Sequence, residues 1–163
     1  MDDARQGAPG AAARGPSRGP IGGPVLVAVN DSPASFEAAE VAIAIARALG
    51  VTLRAVAVVE HDGLVAGSPE AVAFESAREQ ACTAALGHVE RLASRAGLVA
   101  GLVTRRGRVA AEVLAEADSC GADLIVLGRM ERPGHVVSGI GSHTMHVLEF
   151  ARAPVLVVPP SEG

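Results

Sequence analysis

The chain has 163 residues, which gives room for one domain. Its net charge is −4 and it contains no Lys, so it lacks the basic surface of a nucleic-acid-binding protein. Aromatic residues make up only 2% of the sequence, with no Trp or Tyr, which also disfavours a surface on which bases stack. The absence of Lys excludes a P-loop lysine and a Schiff base.

The cysteines and the apolar runs indicate where in the cell the protein is located. Cys82 and Cys120 are far apart and have no Cys-x-x-Cys spacing, which is typical of reduced cytosolic thiols. No apolar run reaches the roughly 18 residues that a membrane span requires. We therefore expect a cytoplasmic protein that contacts neither membrane nor nucleic acid.

Composition divides the chain into three parts. Residues 1–23 are rich in Gly, Pro, Ala and Arg, offer almost nothing to bury, and lack the apolar segment of a secretion signal. We predict a disordered N-terminal tail there, one domain over residues 24–160, and a short C-terminal tail over residues 161–163.

From Pro24 onward, short apolar runs rich in Val alternate with longer runs of helical period. Ser32 is placed to cap the first helix, Pro33 to begin it and Gly50 to end it. The predicted strands are 24–29, 51–59, 99–105, 122–128 and 154–159, and the predicted helices are 33–49, 69–96, 109–120 and 141–151. This alternation predicts an α/β fold, an open five-stranded parallel sheet with helices on both faces, Rossmann-like in architecture.

Helical spacing also predicts which side chains face the sheet. In the first helix the inward positions are Ala38, Val41, Ala42, Ile45, Ala46 and Leu49. In the third helix they are Ala110, Val113, Leu114 and Ala117. Glu112 and Glu116, one turn apart, are predicted on the outer, solvated face of that helix.

Ligands of such sheets bind beyond the carboxyl ends of the strands, which directs attention to the loops after the first and fourth strands. The second of these, residues 128–142, contains Gly128 and Gly139 and ends in Gly141-Ser142, where the fourth helix begins. A helix N-terminus offers free N–H groups and favours anions such as phosphate. The alternative is that these glycines only punctuate a long loop.

Three stretches of the sequence resemble the universal stress protein family. They are VLVAVNDSPAS, GRVAAEVLAEADSCGADLIVLGR and GSHTMHVLEFARAPVLVVP, and the likeness runs from about Pro24 to Pro160. It implies a single-domain member with the adenine nucleotide α-hydrolase-like form of the fold. Nucleotide-binding members carry G-x2-G-x9-G-[ST], and Gly128, Gly141 and Ser142 fall at the matching positions.

The resemblance implies an adenine nucleotide (ATP, ADP, AMP or cyclic AMP) at the carboxyl edge of the sheet, but two positions depart from the motif. Glu131 replaces its second glycine, where a carboxylate would repel phosphate. Asn30 stands where nucleotide-binding members have Asp, so Mg²⁺ would be held poorly. Arg129 and Arg132 either reach the phosphates or form a solvated charge cluster with Glu131. The candidate binding residues are Asn30, Ser32, Val58, Gly128, Arg129, Gly139, Gly141, Ser142 and His143.

Histidines in the same region raise the question of a metal. His143 and His146 lie one helical turn apart and His135 precedes them, yet no Cys or carboxylate is spaced to complete a tetrahedral site. Surface histidines are the favoured interpretation, with His143 near the site, and we assign no metal ligand and no catalytic residue.

Three functions follow, in descending order of preference. The first is a nucleotide-binding stress or regulatory protein, the second a nucleotide-free dimerising interaction module, and the third a slow ATPase, so we expect no enzyme. The apolar strand Val155–Val158 would lie at a sheet edge that needs covering. The family resemblance implies that it pairs antiparallel across a homodimer.

Overall fold

A computed structural model describes residues 21–60, 68–129 and 140–161. The predicted N-terminal tail falls almost entirely outside these ranges. Within them the elements in chain order are β1 (Val25–Ala28), α1 (Pro33–Leu49), β2 (Leu53–Glu60), α2 (Pro69–Arg95), β3 (Ala100–Gly107), α3 (Val109–Cys120), β4 (Leu124–Gly128), α4 (Ser142–Phe150) and β5 (Val155–Val158). None of the described helices is long and apolar enough to cross a membrane.

The described strands form one parallel sheet in the order β3-β2-β1-β4-β5, which confirms the predicted fold class. Val27 in β1 pairs with Ala55 in β2 and with Val126 in β4, so the central strands end close together. The chain moves outward from β1 in one direction through β2 and β3, and in the other through β4 and β5. The reversal lies between β1 and β4, where ligands of such sheets bind.

Helices cover both faces of the sheet. The sequence of β1 is therefore apolar at successive positions instead of alternating between apolar and polar residues. Val25 and Val27 face the layer formed by α1 and α2, whereas Leu26 between them faces the layer of α3 and α4. All three side chains are completely buried. A strand covered on both faces has no position at which a polar side chain would reach water.

Helix α1 begins and ends where the sequence predicts, and three of its six predicted inward positions, Ala38, Ala42 and Ala46, are buried. Ser32 Oγ accepts a hydrogen bond from Ser35 N at 3.3 Å, and Gly50 has φ 64° at the C-terminus. The buried positions are Ala34, Ser35, Ala38, Ala39, Ala42, Ile43 and Ala46. The inward placement of Leu49 was wrong, since it is 49% exposed. The helix packs on the sheet mainly through alanines, whose small side chains permit a close approach.

The prediction of a solvated Glu116 was also wrong. This residue of α3 is 1% exposed, and its Oε1 and Oε2 atoms accept hydrogen bonds from Arg54 Nε and Arg105 Nε, each at 2.7 Å. Desolvation by burial would raise the pKa of Glu116, but the hydrogen bonds and charges of the two arginines outweigh it and lower the pKa. Glu112 remains partly exposed, 3.3 Å from Arg105.

Candidate functional site

A cleft of about 380 Å³ opens at the carboxyl end of the sheet. Of the nine residues predicted to bind a ligand, five lie on its wall. These are Asn30, Ser32, Val58, Gly128 and His143. The structure thus brings together residues that are more than one hundred positions apart in the sequence. Gly139 lies outside the described residues, as do Glu131, Arg132 and His135.

The inner wall of the cleft is apolar. It is formed by strand side chains and by helix residues beneath them, namely Ala28, Val56, Val58, Val109, Val113, Leu127 and Val147. Polar groups lie around it on the loop after β1, at the end of β2 and at the start of α4. An apolar floor with a few polar groups at the rim is the usual construction of a small-molecule site.

The loop after β1 is fixed by its own hydrogen bonds. Asn30 Oδ1 accepts from Ser32 N at 3.0 Å and from Ser32 Oγ at 2.6 Å. Ser35 Oγ donates to Asn30 O at 2.7 Å and accepts from Asn30 N at 3.2 Å. The side-chain oxygen of Asn30 is therefore already engaged, and a ligand hydroxyl would have to share it with Ser32.

Gly128, the first glycine of the motif, is required by packing. A Cβ built on it would lie 2.9 Å from Ser35 N, and closer still to the carbonyl group of Ala34. The end of β4 therefore approaches the first turn of α1 too closely for any side chain at position 128. Gly128 lines the cleft, but glycine is required at this position by the contact with α1 and not by the cleft.

Arg129, by contrast, does not reach the cleft lining. Its main-chain N–H donates to Val158 O at 2.8 Å and so continues the pairing of β4 with β5. Its Nε is buried and makes no hydrogen bond within the described part of the chain. Arg129 is thus not among the residues that line either cavity.

Within the described residues, the backbone N–H groups at the start of α4 have no side-chain cap. Gly141 is the N-cap residue, with φ −60° and ψ 154°. A Cβ at Gly141 would meet nothing within 4 Å among the described residues, so neither their packing nor the backbone conformation requires glycine there. Ser142 faces an adjoining cavity of about 310 Å³ rather than the main cleft.

His143 and Glu60 stand at the boundary of the two cavities and line both. His143 Nε2 is 3.7 Å from Glu60 Oε1, and the histidine side chain is 56% exposed. His146 is exposed and its ring packs against Phe150, with centroids 4.7 Å apart. Across the described ranges, no three His, Cys, Asp or Glu side chains are grouped as metal ligands would be.

Sequence reasoning missed the contribution of α2. Arg78, Ala81 and Cys82 line the cleft, and Arg78 NH1 donates to the main-chain oxygen of Glu60 at 2.8 Å. Their spacing of three and four residues puts them on one helical face, a signal that was available in the sequence. Burial raises the pKa of the Cys82 thiol, and the charges of Asp31 and Glu79 raise it further, as suits a packing residue.

Solved structures of other proteins share this fold. Universal stress protein UspA from Lactobacillus plantarum has a TM-score of 0.74 and 24% identity, with 83% of this chain and 96% of that chain covered. A universal stress protein in complex with cAMP has a TM-score of 0.65 and 21% identity, covering 85% and 97% of the two chains. The universal stress protein from Archaeoglobus fulgidus in complex with dAMP has a TM-score of 0.61 and 20% identity, covering 82% and 95%.

Sequence comparison assigns the family. Comparison with curated proteins finds no match. The model of the universal stress protein family, however, matches residues 23–159, which include every described strand and helix. This chain therefore belongs to the universal stress protein family.

Proposed function

We propose that this protein binds an adenine nucleotide in the cleft at the carboxyl end of the sheet. The observation that carries the proposal is the convergence of Asn30, Ser32, Val58, Gly128 and His143 on one cleft with an apolar floor. Family structures in complex with cAMP and with dAMP support it. The role is one of binding and regulation, not of catalysis.

The cleft suggests how the ligand lies. The base would occupy the apolar part beside Val58, whose main chain can read the base edge. The phosphate would point toward the uncapped N–H groups at the start of α4, near Gly141 and Ser142. The space in front of Gly141 leaves room for the phosphate to approach the backbone.

We further propose that binding does not require Mg²⁺. Asn30 carries no charge, and its side-chain oxygen is engaged by Ser32. Divalent cations of this kind prefer carboxylate oxygens. A nucleotide with few phosphates, such as AMP or cyclic AMP, suits this site better than Mg²⁺-ATP.

Calorimetric titration of the purified protein with ATP, ADP, AMP and cyclic AMP, each with and without Mg²⁺, tests the proposal. We expect heat of binding for at least one of them, and loss of that heat in Gly141→Val, whose side chain would occupy the phosphate approach. No heat with any nucleotide, together with no thermal stabilisation, would overturn the proposal.

We also propose that the protein forms a homodimer through β5. The strand lies at the end of the sheet order, and its other edge has no partner within the described residues. Pro154 O and Val158 O accept hydrogen bonds from β4, so by alternation the N–H groups of Val155 and Val157 face outward. Large apolar side chains of the neighbouring segment are exposed as well, at Ile140, Met145, Leu148 and Phe150. An unpaired apolar edge of this kind favours strand pairing with a second copy.

A further inference from the structure

Among the described residues, the cleft has no aromatic side chain on which a base could stack, apart from the imidazole of His143 at its boundary. The protein has three Phe residues and none lines the cleft. Phe36 packs against His88, with ring centroids 4.3 Å apart, while Phe74 and Phe150 are exposed elsewhere. A bound base would therefore need another flat surface to cover its face.

Arg78 offers such a surface. It is partly buried, lines the cleft from the side of α2, and is flanked there by Ala81 and Cys82. Its NH1 atom donates to Glu60 O at 2.8 Å, on the same strand as Val58 and two residues beyond it. This bond holds one end of the guanidinium group beside the strand that would read the base edge.

Arginine is suited to stacking in a way that lysine is not. Its guanidinium group is planar and delocalised, lies flat on conjugated rings, and keeps hydrogen-bond donors at its edge while its face is covered. The neighbouring cleft residues on the same helix face, Ala81 and Cys82, have small side chains.

We propose that Arg78 is the platform on which the ligand's base stacks, so that it selects ligands with a flat conjugated ring. The inference rests on the proposed nucleotide binding and adds a residue that decides which part of the ligand is recognised. The hydrogen bond to Glu60 positions the guanidinium group, and the apolar floor near Val56 and Val58 encloses the ring from the sheet side.

The test compares AMP with ribose 5-phosphate, which has the same sugar and phosphate but no base. Titrations use the wild type, Arg78→Lys and Arg78→Met, with Arg91→Lys as a matched control, since Arg91 is on the same helix, exposed and away from the cleft. Both Arg78 variants should weaken AMP binding about ten-fold and change ribose 5-phosphate binding less than about two-fold. Arg91→Lys should change neither.

A spectroscopic readout separates stacking from a merely structural role. Stacking lowers the ultraviolet absorbance of adenine, and a protein without Trp or Tyr adds little absorbance of its own. The absorbance decrease on binding AMP should occur in the wild type and be lost in Arg78→Lys, which keeps the charge but not the plane. His143→Leu should show the same decrease once it is saturated with AMP, whatever its affinity, because the imidazole is not the platform.

The outcomes are distinct. If the wild type binds AMP and Arg78→Lys has equal affinity and an equal absorbance change, the proposal that Arg78 is the platform is overturned. Nucleotide binding then still stands. Equal losses for AMP and ribose 5-phosphate also overturn it, because Arg78 would then act through charge or fold. If the decrease disappears only in His143→Leu, the platform is His143. If the wild type binds no nucleotide, the proposed function fails and the platform with it.

Discussion

Arg105 Nε lies 2.7 Å from Glu116 Oε2, although the glutamate is almost completely buried between α3 and the sheet. Arg54 binds the other carboxylate oxygen, so one buried charge joins β2, β3 and α3. Gly101 contributes as well, because a Cβ there would lie 3.2 Å from Arg54 Cδ. The packing of α3, which supplies part of the cleft floor, therefore depends on a polar contact.

Removing that buried charge should destabilise the protein. Glu116→Gln takes this carboxylate away from Arg54 and leaves Arg105 with only the partly exposed Glu112, and because both arginines are partly exposed we expect a loss of about 2 kcal/mol in the free energy of unfolding. Glu112→Gln is the matched control on the same helix. Its partly exposed pair should contribute less than about 1 kcal/mol. Urea unfolding measures both, and equal losses would contradict the assignment.

The same residue should make stability depend on pH. Because the folded pKa of Glu116 is lowered, its contribution is fully present above the pKa of the unfolded state, about 4.3. The contribution is lost as the pH falls from there through the lower folded pKa. The difference in unfolding free energy between wild type and Glu116→Gln should therefore be constant near neutrality and shrink in acid. A difference that grows in acid would refute this account.

Two glycines of the motif should respond differently to alanine. Gly128→Ala forces a methyl group into the main chain of Ala34 and Ser35, and should cost about 2 kcal/mol or more of stability. Gly141→Ala enters open space at a permitted φ, and its cost should stay below about 1 kcal/mol, from the weaker N-cap. Thermal unfolding of the two variants compares their losses of stability directly. A larger loss for Gly141→Ala would be inconsistent with the packing described above.

Changing Asn30 to a carboxylate should create a requirement for Mg²⁺. In Asn30→Asp the oxygen can still accept from Ser32, but the new charge repels phosphate, and ATP affinity without Mg²⁺ should fall about ten-fold. Added Mg²⁺ should restore it, whereas the wild type should not respond. Gln80→Glu adds the same charge at an exposed position that does not line the cleft, and should confer no dependence on Mg²⁺. Titration of all three proteins with ATP, with and without Mg²⁺, measures these affinities. If the wild type already needed Mg²⁺ to bind ATP, the proposal would be wrong.

The dimer proposal predicts opposite effects of proline at neighbouring positions. Val157→Pro removes an N–H that faces the free edge of β5, so the fold should remain and the dimer should dissociate. Leu156→Pro removes an N–H that faces β4 and should destabilise the protein itself. Sedimentation and thermal unfolding of both variants separate the two effects. A dimeric Val157→Pro variant would exclude pairing through this edge.

The fold was predictable because the signals are local and repeated. Short apolar strands alternate with helices, and Ser32, Pro33 and Gly50 mark the limits of α1 in the sequence itself. The buried face of α1 was predictable only in part, since Ala38, Ala42 and Ala46 are buried as expected but Leu49 is exposed. Apolar period alone favoured Leu49, but close packing against the sheet selects alanines, and that preference depends on the distance between elements rather than on hydrophobicity.

The candidate site was predictable at the strand ends and less so elsewhere. Asn30 and Gly128 follow from the rule that ligands bind at the carboxyl edge of a parallel sheet, whereas Val58 came from the family resemblance alone. Glu116 was misplaced because its partners Arg54 and Arg105 lie on two other elements, and no local pattern brings them together. The spacing of Arg78, Ala81 and Cys82 places them on one face of α2, but that spacing does not show that this face borders the cleft.

The close contact behind Gly128 changes what the motif can be used to diagnose. A member of this fold that binds no ligand would need glycine at this position for the same steric reason. Finding it in a sequence is therefore informative about the architecture and uninformative about the ligand. Gly141, which nothing in the described packing demands, is the position whose identity can discriminate between the two kinds of protein.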